Sequence, residues 1–511
     1  MTNFVCFVAD QLRFDMLGCA GHPLLKTPHI DRLAAEGVRF NRCYTVQPMC
    51  MATRSTWLTG LTPRGHGVRC NGVPLSPSIP TMTGALRSAG YHTHSIGKIH
   101  VNPWMPHKDF NPEKLDPEKW PEAIPVWHSG KINSLPSPYY GFESTDLLVS
   151  KKWGNYGHWL YANEPKADEL MKPPADYGSV ETTPDAVYRN HLPNELHTTG
   201  WAAEKAELFL KNRQNNKNPF FLWVSIPDPH PAFTVNEPYW SMYNPADMPD
   251  PIRRTGELDD LPPHYRRQYT EDLFTAGRIK CTDISEDVQR RVAAVVCGMI
   301  TRWDKMVGSI CESIAAHGFA DNTVIVVMSD HGQMMGDHFL QNMPPSHLDG
   351  NTRVPSVWHF PKLFSQNQVS SALVSHLDFA PTILDIAGVA PDEGRLPPRP
   401  ECPLQRPSLP GKSMLPLLTG KKDSVQESVI IENDEDYLGM RQRTMVTDRW
   451  HITAYIGEQY GELFDLQKDP KQLYNLWNDP GLRTQKSDLL SAMMYRFAET
   501  DRTFPRRMGH A

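Results

Sequence analysis

Three apolar runs end in residues able to bind a metal or move a proton. Residues 4–9 lead into Asp10-Gln11, residues 220–226 into Asp228-Pro229-His230-Pro231, and residues 323–328 into Asp330-His331-Gly332. Ligands of open α/β sheets bind beyond the carboxyl ends of the strands. Two of these runs supply an acid followed directly by a second possible ligand, and oxygen-rich donors suit a hard divalent cation. A strand-end aspartate also caps the helix that follows it. Either pair alone is therefore ambiguous, while two on strands of one sheet favour the metal reading. A fourth segment, Gln47-Pro48-Met49-Cys50-Met51-Ala52-Thr53-Arg54, carries a cysteine and an arginine four residues apart. A helix beginning near Cys50 would offer free N–H groups and partial positive charge to an anion there. Arg54 then lies one turn on, on the same face, able to hold a nucleophile or an anionic substrate. The plainer alternative is a buried cysteine with a surface arginine.

The elements that must position these groups can be read from their periodicity. The three runs are β-branched or aromatic and apolar on both faces, as in a mostly parallel sheet covered by helices. Helical patterns alternate with them. Residues 30–36 stop at Gly37, a usual C-terminal signal. Residues 285–317 form the longest pattern, capped by Ser285 and ended by Gly318, with Val292, Val295, Met299, Trp303, Met306 and Ile310 at helical spacing. The alternation predicts an open α/β sandwich. Residues 101–190 are rich in Pro, Trp, Tyr and Lys and read as a long substrate-side insertion over the catalytic face. The proline-rich residues 391–410 separate a C-terminal part with short strands at 429–432, 443–446, 450–455 and 462–465 and a helix at 486–498. The expected organisation is a catalytic domain over 1–400 and a small α+β domain with a short antiparallel sheet over 401–511.

Composition excludes several classes. The 511 residues carry a formal charge of -6, which argues against a surface built for nucleic acid, and no basic run suggests a membrane anchor. No uninterrupted apolar segment is long enough to span a bilayer. The start, Met1-Thr2-Asn3-Phe4, has no basic region or cleavage site of a signal peptide, and the nine cysteines are odd in number and sparse. A cytoplasmic location is expected. No repeat or heptad identifies an oligomer interface.

Cys50-x-Ala52-x-Arg54 followed by Leu58-Thr59-Gly60 resembles the signature of the type I, formylglycine-dependent sulfatases. The resemblance runs through nearly the whole chain in order: Thr27-Pro28-His29-Ile30-Asp31-Arg32-Leu33, Gly90-Tyr91, Gly97-Lys98-Ile99-His100, Asp228-Pro229-His230, Ser329-Asp330-His331-Gly332, Gly336-Asp337-His338, Arg353-Val354-Pro355, and Gly461-Glu462-Leu463-Phe464-Asp465. It implies an alkaline phosphatase-like α/β fold and a cysteine oxidised to formylglycine, which requires a formylglycine-generating maturation enzyme as partner. One hydroxyl of the hydrated aldehyde attacks sulfur, and the second drives release of sulfate, which a serine or thiol could not do. The resemblance assigns Asp10, Gln11, Asp330, His331 and the modified Cys50 to one divalent metal, calcium first, with manganese or magnesium as alternatives. Arg54 and Lys98 would stabilise charge, His100 would act as base, and His230 would bind sulfate or protonate the leaving group. Asn71 matches a substrate contact of some members.

Two departures stand out. The lysine that usually meets the leaving oxygen falls at Met343, which has no proton to donate; His347 nearby matches a histidine of some members and is expected to take part of that role. Gln11 and His331 replace an acid and an amide of the best-known members, so a nitrogen ligand enters the metal set. Lys151-Lys152-Trp153-Gly154-Asn155-Tyr156-Gly157-His158 loosely resembles a pocket-lining insert, with His158 facing substrate; packing under the long loop is the alternative. The expected activity is hydrolysis of a small-molecule or carbohydrate sulfate ester. The rivals are a phosphonate monoester hydrolase or phosphodiesterase of the same superfamily, and a non-catalytic binding protein that retains the fold. Gly97-Lys98-Ile99-His100 favours sulfate over the first, and the intact segment around Cys50 weighs against the second.

Overall fold

Strands apolar on both faces can be satisfied only between two covering layers, and the computed structural model has that arrangement. It describes residues 2–172, 187–216, 218–271, 281–390, 409–434 and 439–501. The strands in chain order begin with β1 (Asn3–Ala9), β2 (Val38–Tyr44), β3 (His92–Gly97), β4 (Ser144–Val149), β5 (Trp153–Gly154) and β6 (Val187–Arg189). They continue with β7 (Phe220–Ser225), β8 (Phe233–Val235), β9 (Thr323–Ser329), β10 (Arg353–Val354), β11 (Ser356–His359) and β12 (Gln368–Ser375). The central sheet runs β10-β2-β11-β9-β1-β7-β3-β4-β5, with β12 also paired to β2. Its middle, β9-β1-β7-β3-β4, is parallel throughout.

Alternation along β1 divides the core. Val5, Phe7 and Ala9 pack beneath the long helix Glu286–Ala316 with Trp303 and Ile310, while Phe4, Cys6 and Val8 face Trp57, Phe379 and Ile383 on the other side. Ser285 caps the long helix by accepting from Val288 N at 3.2 Å. Register decides what the sheet presents at its carboxyl edge. Ala9 lies opposite Ser329 and Val8 opposite Ser225. Asp10 and Asp330 therefore leave the sheet side by side, while Ser225 ends its strand opposite Val8, two residues below them.

Two expectations are modified. Residues 101–190 are not only an insertion over the face, because β4 and β5 extend the central sheet and β4 pairs parallel to β3. The first half of β4 is only partly buried, so its apolar signal is weaker than that of the inner strands. Gly37 is not needed as a left-handed helix terminator; a Cβ there would lie 2.3 Å from the Trp358 carbonyl oxygen, so close backbone approach requires glycine. The expected boundary near 400 lies outside the described residues, as does Cys402. Leu409, Met414, Leu417 and Leu418 pack in the core of the large sheet.

The C-terminal strands β13 (Ser428–Asp434), β14 (Arg441–Thr447), β15 (Trp450–Tyr455) and β16 (Gly461–Asp465) form an antiparallel meander covered by the helix Arg483–Glu499. Family-like motifs tie the layers together. Asp337 pairs with Arg13 at 2.8 Å and accepts from Ile252 N at 2.8 Å. Glu462, buried on β16, accepts from Tyr455 Oη. Desolvation raises its carboxyl from 4.5 to about 7, against the Tyr455 hydrogen bond. A carboxyl whose folded pKa is raised holds a proton that the unfolded chain releases. Its contribution to stability is complete below the unfolded value and is lost as pH rises through about 7. Glu462→Gln, which keeps an acceptor for Tyr455 without the ionisation, should gain thermal stability over wild type at about pH 8 and little at about pH 4; thermal unfolding at both pH values checks this. Among the described residues no helix is long and apolar enough to cross a membrane.

Candidate active site

Asp10, Cys50, Asp330 and His331 converge at the carboxyl edge of the sheet, all buried, with one ligand atom from each within 4.8 Å of the others. Two carboxylates come from the ends of β1 and β9, and Cys50 opens the buried helix Cys50–Thr59. The Cys50 Sγ lies 3.1 Å from His331 Nε2 and 3.6 Å from Asp10 Oδ1. His331 Nδ1 donates to the Gly332 carbonyl at 2.9 Å, which leaves Nε2 with its lone pair toward the cluster. Gln11 adopts φ 71, an unfavourable conformation for this residue type. Its N–H donates to Asp330 Oδ1 at 3.0 Å, so the carboxylate that closes the cluster also holds the strained turn. The Gln11 side chain donates through Nε2 to Gln333 Oε1 at 3.0 Å.

Each aspartate is held by a buried cation on its Oδ2. Lys98 Nζ contacts Asp10 Oδ2. Arg54 places Nε 2.9 Å and Nη2 2.8 Å from Asp330 Oδ2. Its Nη1 also donates to Ser225 Oγ at 2.8 Å and to the Lys98 carbonyl at 3.1 Å. The surface-arginine alternative is thus excluded, since Arg54 is 1 % exposed. Despite burial, the Asp10 carboxyl is held well below its ordinary range, first by the charge of Lys98. Burial, then the Asp10 charge, pushes the Cys50 thiol well up, so an unmodified cysteine stays protonated here and is a poor nucleophile.

The Gly97-Lys98-Ile99-His100 segment reaches the cluster through a sharp departure from β3. A Cβ at Gly97, where φ is 100, would sit 1.9 Å from the Ser225 carbonyl oxygen, so only glycine fits. His100 follows with φ 56, and Glu122 secures it. The Glu122 carboxylate accepts from the N–H groups of His100 at 2.7 Å, Val101 at 3.1 Å and Asn102 at 3.1 Å, and from Tyr139 Oη at 2.8 Å. The His100 ring stacks on Trp104 at 3.9 Å between centroids, and Lys98 Nζ lies 4.6 Å from the centre of the same ring system. Desolvation, reinforced by Lys98 and Arg54, holds His100 well below its usual pKa. His230 donates through Nδ1 to the Pro231 carbonyl at 2.6 Å, and desolvation lowers it to about 4. Both imidazoles are neutral at neutral pH and able to accept a proton.

Of the other expected site residues, Asn71 stands beside Cys50, while His347 and His158 have their recorded contacts elsewhere. Asn71 is exposed and accepts from Met51 N at 3.0 Å, supporting the start of the Cys50 helix. His347 is fully buried beneath the C-terminal sheet, bonded through Nδ1 to Thr444 Oγ1 at 2.7 Å, with its carbonyl facing His451 Nε2 at 2.9 Å. His158 is exposed on the helix Asn155–Asn163 and packs its ring 5.5 Å from Trp127. Asp228 lies beside the cluster, but Arg302 binds it at 2.7 Å. Sequence reasoning missed Ser225, Glu122, Trp104, Gln333 and Arg302. Of these only Ser225, at the end of an already identified strand, carried a positional signal.

The family model described as Sulfatase matches residues 2–389, and that described as N-sulphoglucosamine sulphohydrolase, C-terminal, matches residues 347–499. The arylsulfatase of Clostridium perfringens is 28% identical over 488 residues, covering 93% of this chain and 90% of its own. The multifunctional alkaline phosphatase superfamily protein PehA of Trinickia caryophylli is 28% identical over 539 residues, covering 98% and 96%. Among solved structures, the phosphonate monoester hydrolase of Agrobacterium radiobacter superposes with a TM-score of 0.80 at 24% identity, covering 98% of this chain and 96% of that one. At that identity the likeness establishes the alkaline phosphatase-like fold.

Proposed function

The chain belongs to the sulfatase family, and from that premise we propose that it hydrolyses a sulfate ester at the Cys50 centre, using an oxidised Cys50 and one divalent cation. The observation that carries this reading is the convergence of Asp10, Cys50, Asp330 and His331 within 4.8 Å. The donor set fits a cation. Asp10 Oδ1 and His331 Nε2 lie 3.8 Å apart, and Asp330 Oδ1 lies 3.7 Å from the same nitrogen, so the donors are gathered on one small region. Asp10, Asp330, His331 and position 50 would hold it, with Gln11 the fifth residue assigned to it by the family resemblance. Calcium is the first candidate, and the nitrogen ligand admits manganese. The bound cation would polarise the transferring group, and formylglycine at position 50 would supply the attacking hydroxyl.

The remaining steps belong to this chain's own side chains. Arg54 and Lys98 fix the two aspartates and keep positive charge beside the incoming anion in a water-poor site, where such charge acts most strongly. His100, neutral and held by Glu122 and Trp104, would take the proton from the group at position 50. His230, on the loop after β7, would serve the leaving-group side. The stack of His100 and Lys98 on Trp104 gives the site an aromatic wall against which an aryl or sugar ring can pack.

A phosphonate monoester or phosphodiester substrate is the second reading. The Asp10-Gln11 and Asp330-His331 pairs match the metal set of that group, and one relative is named as multifunctional in the alkaline phosphatase superfamily. Steady-state assays of the matured, metal-loaded enzyme separate the two. Turnover of an aryl sulfate with higher kcat/KM than the matching aryl phosphonate is expected. Turnover of the phosphonate or phosphodiester alone would replace sulfate by the second reading.

A further inference from the structure

We propose that Lys151 stands at the leaving-group side of the centre, beside the loop that carries His230, and supplies positive charge there. The inference rests on the ester-hydrolase reading above and adds a residue to it.

Lys151 is the middle residue of the three-residue turn between β4 and β5, following Ser150 at φ 55. Its side chain crosses to the loop after β7, where Nζ donates to the Ala232 carbonyl at 2.6 Å. Ala232 is two residues beyond His230, so the same loop carries the neutral imidazole and anchors the ammonium. The charged groups that act on Lys151 are Asp228, Arg302 and Asp10. Neither aspartate is available to pair with it: Arg302 binds Asp228 at 2.7 Å, and Lys98 holds Asp10. Among the described residues no carboxylate lies within ion-pair distance of Lys151. Burial lowers its pKa to about 8, which leaves it mostly protonated at neutral pH. A part-buried ammonium with one carbonyl partner retains two N–H donors, and its desolvation is best offset by an anion arriving in the site.

The chemistry follows from where charge develops. When the S–O bond to the alcohol breaks, the electron pair stays on the leaving oxygen. Lys151 would face that oxygen and stabilise its negative charge without transferring its own proton. The benefit grows as the leaving group becomes poorer, because more charge then needs stabilisation in the transition state.

The test uses the matured, metal-loaded enzyme, the variants Lys151→Met and Lys151→Arg, and aryl esters with phenol leaving groups from strongly to weakly acidic. For Lys151→Met, kcat/KM should fall about 10-fold with the best leaving group and about 1000-fold with the poorest, so the leaving-group dependence steepens; Lys151→Arg should recover most of the slope. A loss of equal size across the series, or none, would overturn the proposal, since a merely structural lysine affects all substrates alike. The series is prepared as both sulfates and phosphonates. If wild type accepts only the phosphonates, the sulfate reading fails, while the slope on the phosphonates still decides the role of Lys151.

Discussion

Exchange of Cys50 for alanine or serine should lower turnover by at least about four orders of magnitude while leaving the fold intact. Position 50 is the first residue of a helix whose remaining residues are all buried, so the packing change is confined to one sulfur or its replacement. Alanine has no heteroatom to oxidise, and the serine variant, made in a host without a maturation enzyme and shown by mass spectrometry to keep its hydroxyl, carries no aldehyde. The serine variant is the more informative, because a hydroxyl there can accept a sulfuryl group once but has no second hydroxyl to expel it. Incubation of Cys50→Ser with substrate should therefore give at most one equivalent of released alcohol and a covalently sulfated peptide, read by rapid-quench kinetics and mass spectrometry. Sustained turnover by either variant would remove Cys50 from the mechanism.

Arg54→Met should have the next largest effect, and it should be structural as well as catalytic. Arg54 and Asp330 form an ion pair with side-chain exposures of 1% and 0%. Removing one partner of a buried pair leaves the other charge without compensation, at a cost of about 3–5 kcal/mol. Asp330 also holds the N–H groups of Gln11 and His331, each at 3.0 Å, so its displacement would disturb three of the groups assigned to the metal. A marked fall in thermal stability, weakened binding of calcium or manganese by calorimetry, and loss of turnover are expected together. Arg54→Lys should recover little, since one ammonium cannot reproduce the fork that reaches Asp330, Ser225 and the Lys98 carbonyl. Ser225→Ala, which deletes one hydrogen bond, should cost only about 1 kcal/mol; an equal loss in both variants would contradict this assignment.

The parts of the site that were legible in the sequence are those fixed by strand ends and helix starts. Asp10 and Asp330 stand one step beyond strands whose apolar signal is strong, where a parallel register leaves little freedom in where they point, and Cys50 is the first residue of a helix. The Lys98-His100 segment is similar, because Gly97 forces one backbone path past Ser225. Residues on irregular backbone were not legible in the same way. His347 and His158 lie near motif residues in the sequence, yet one turns under the C-terminal sheet to reach Thr444 and the other stays on the surface against Trp127. Glu122 and Lys151 act across long sequence separations, Glu122 from a proline- and tryptophan-rich stretch and Lys151 from a β-turn. Glu122 is held mostly to backbone N–H groups and Lys151 to a backbone carbonyl, partners that leave no trace in residue type, although the segment of Lys151 was singled out for its resemblance to a pocket-lining insert.

The fold divides along the same line. Inner strands, apolar on both faces, are evident from composition, as are the long amphipathic helix and the C-terminal meander. β4 was absorbed into an apparent insertion because an outer strand with a half-exposed first half has little of that signature. A position near the edge of a sheet weakens the pattern while leaving the pairing intact.

The central claim is tested most directly by measuring, in enzyme preparations matured to different extents, the fraction of Cys50 converted to the aldehyde and the kcat of each preparation. Peptide mass spectrometry over the segment containing Cys50 gives the fraction, and turnover of the preferred ester with saturating metal gives the rate. The account requires kcat to rise in proportion to the aldehyde fraction from a zero intercept. Full activity in a preparation whose Cys50 remains a thiol would contradict it.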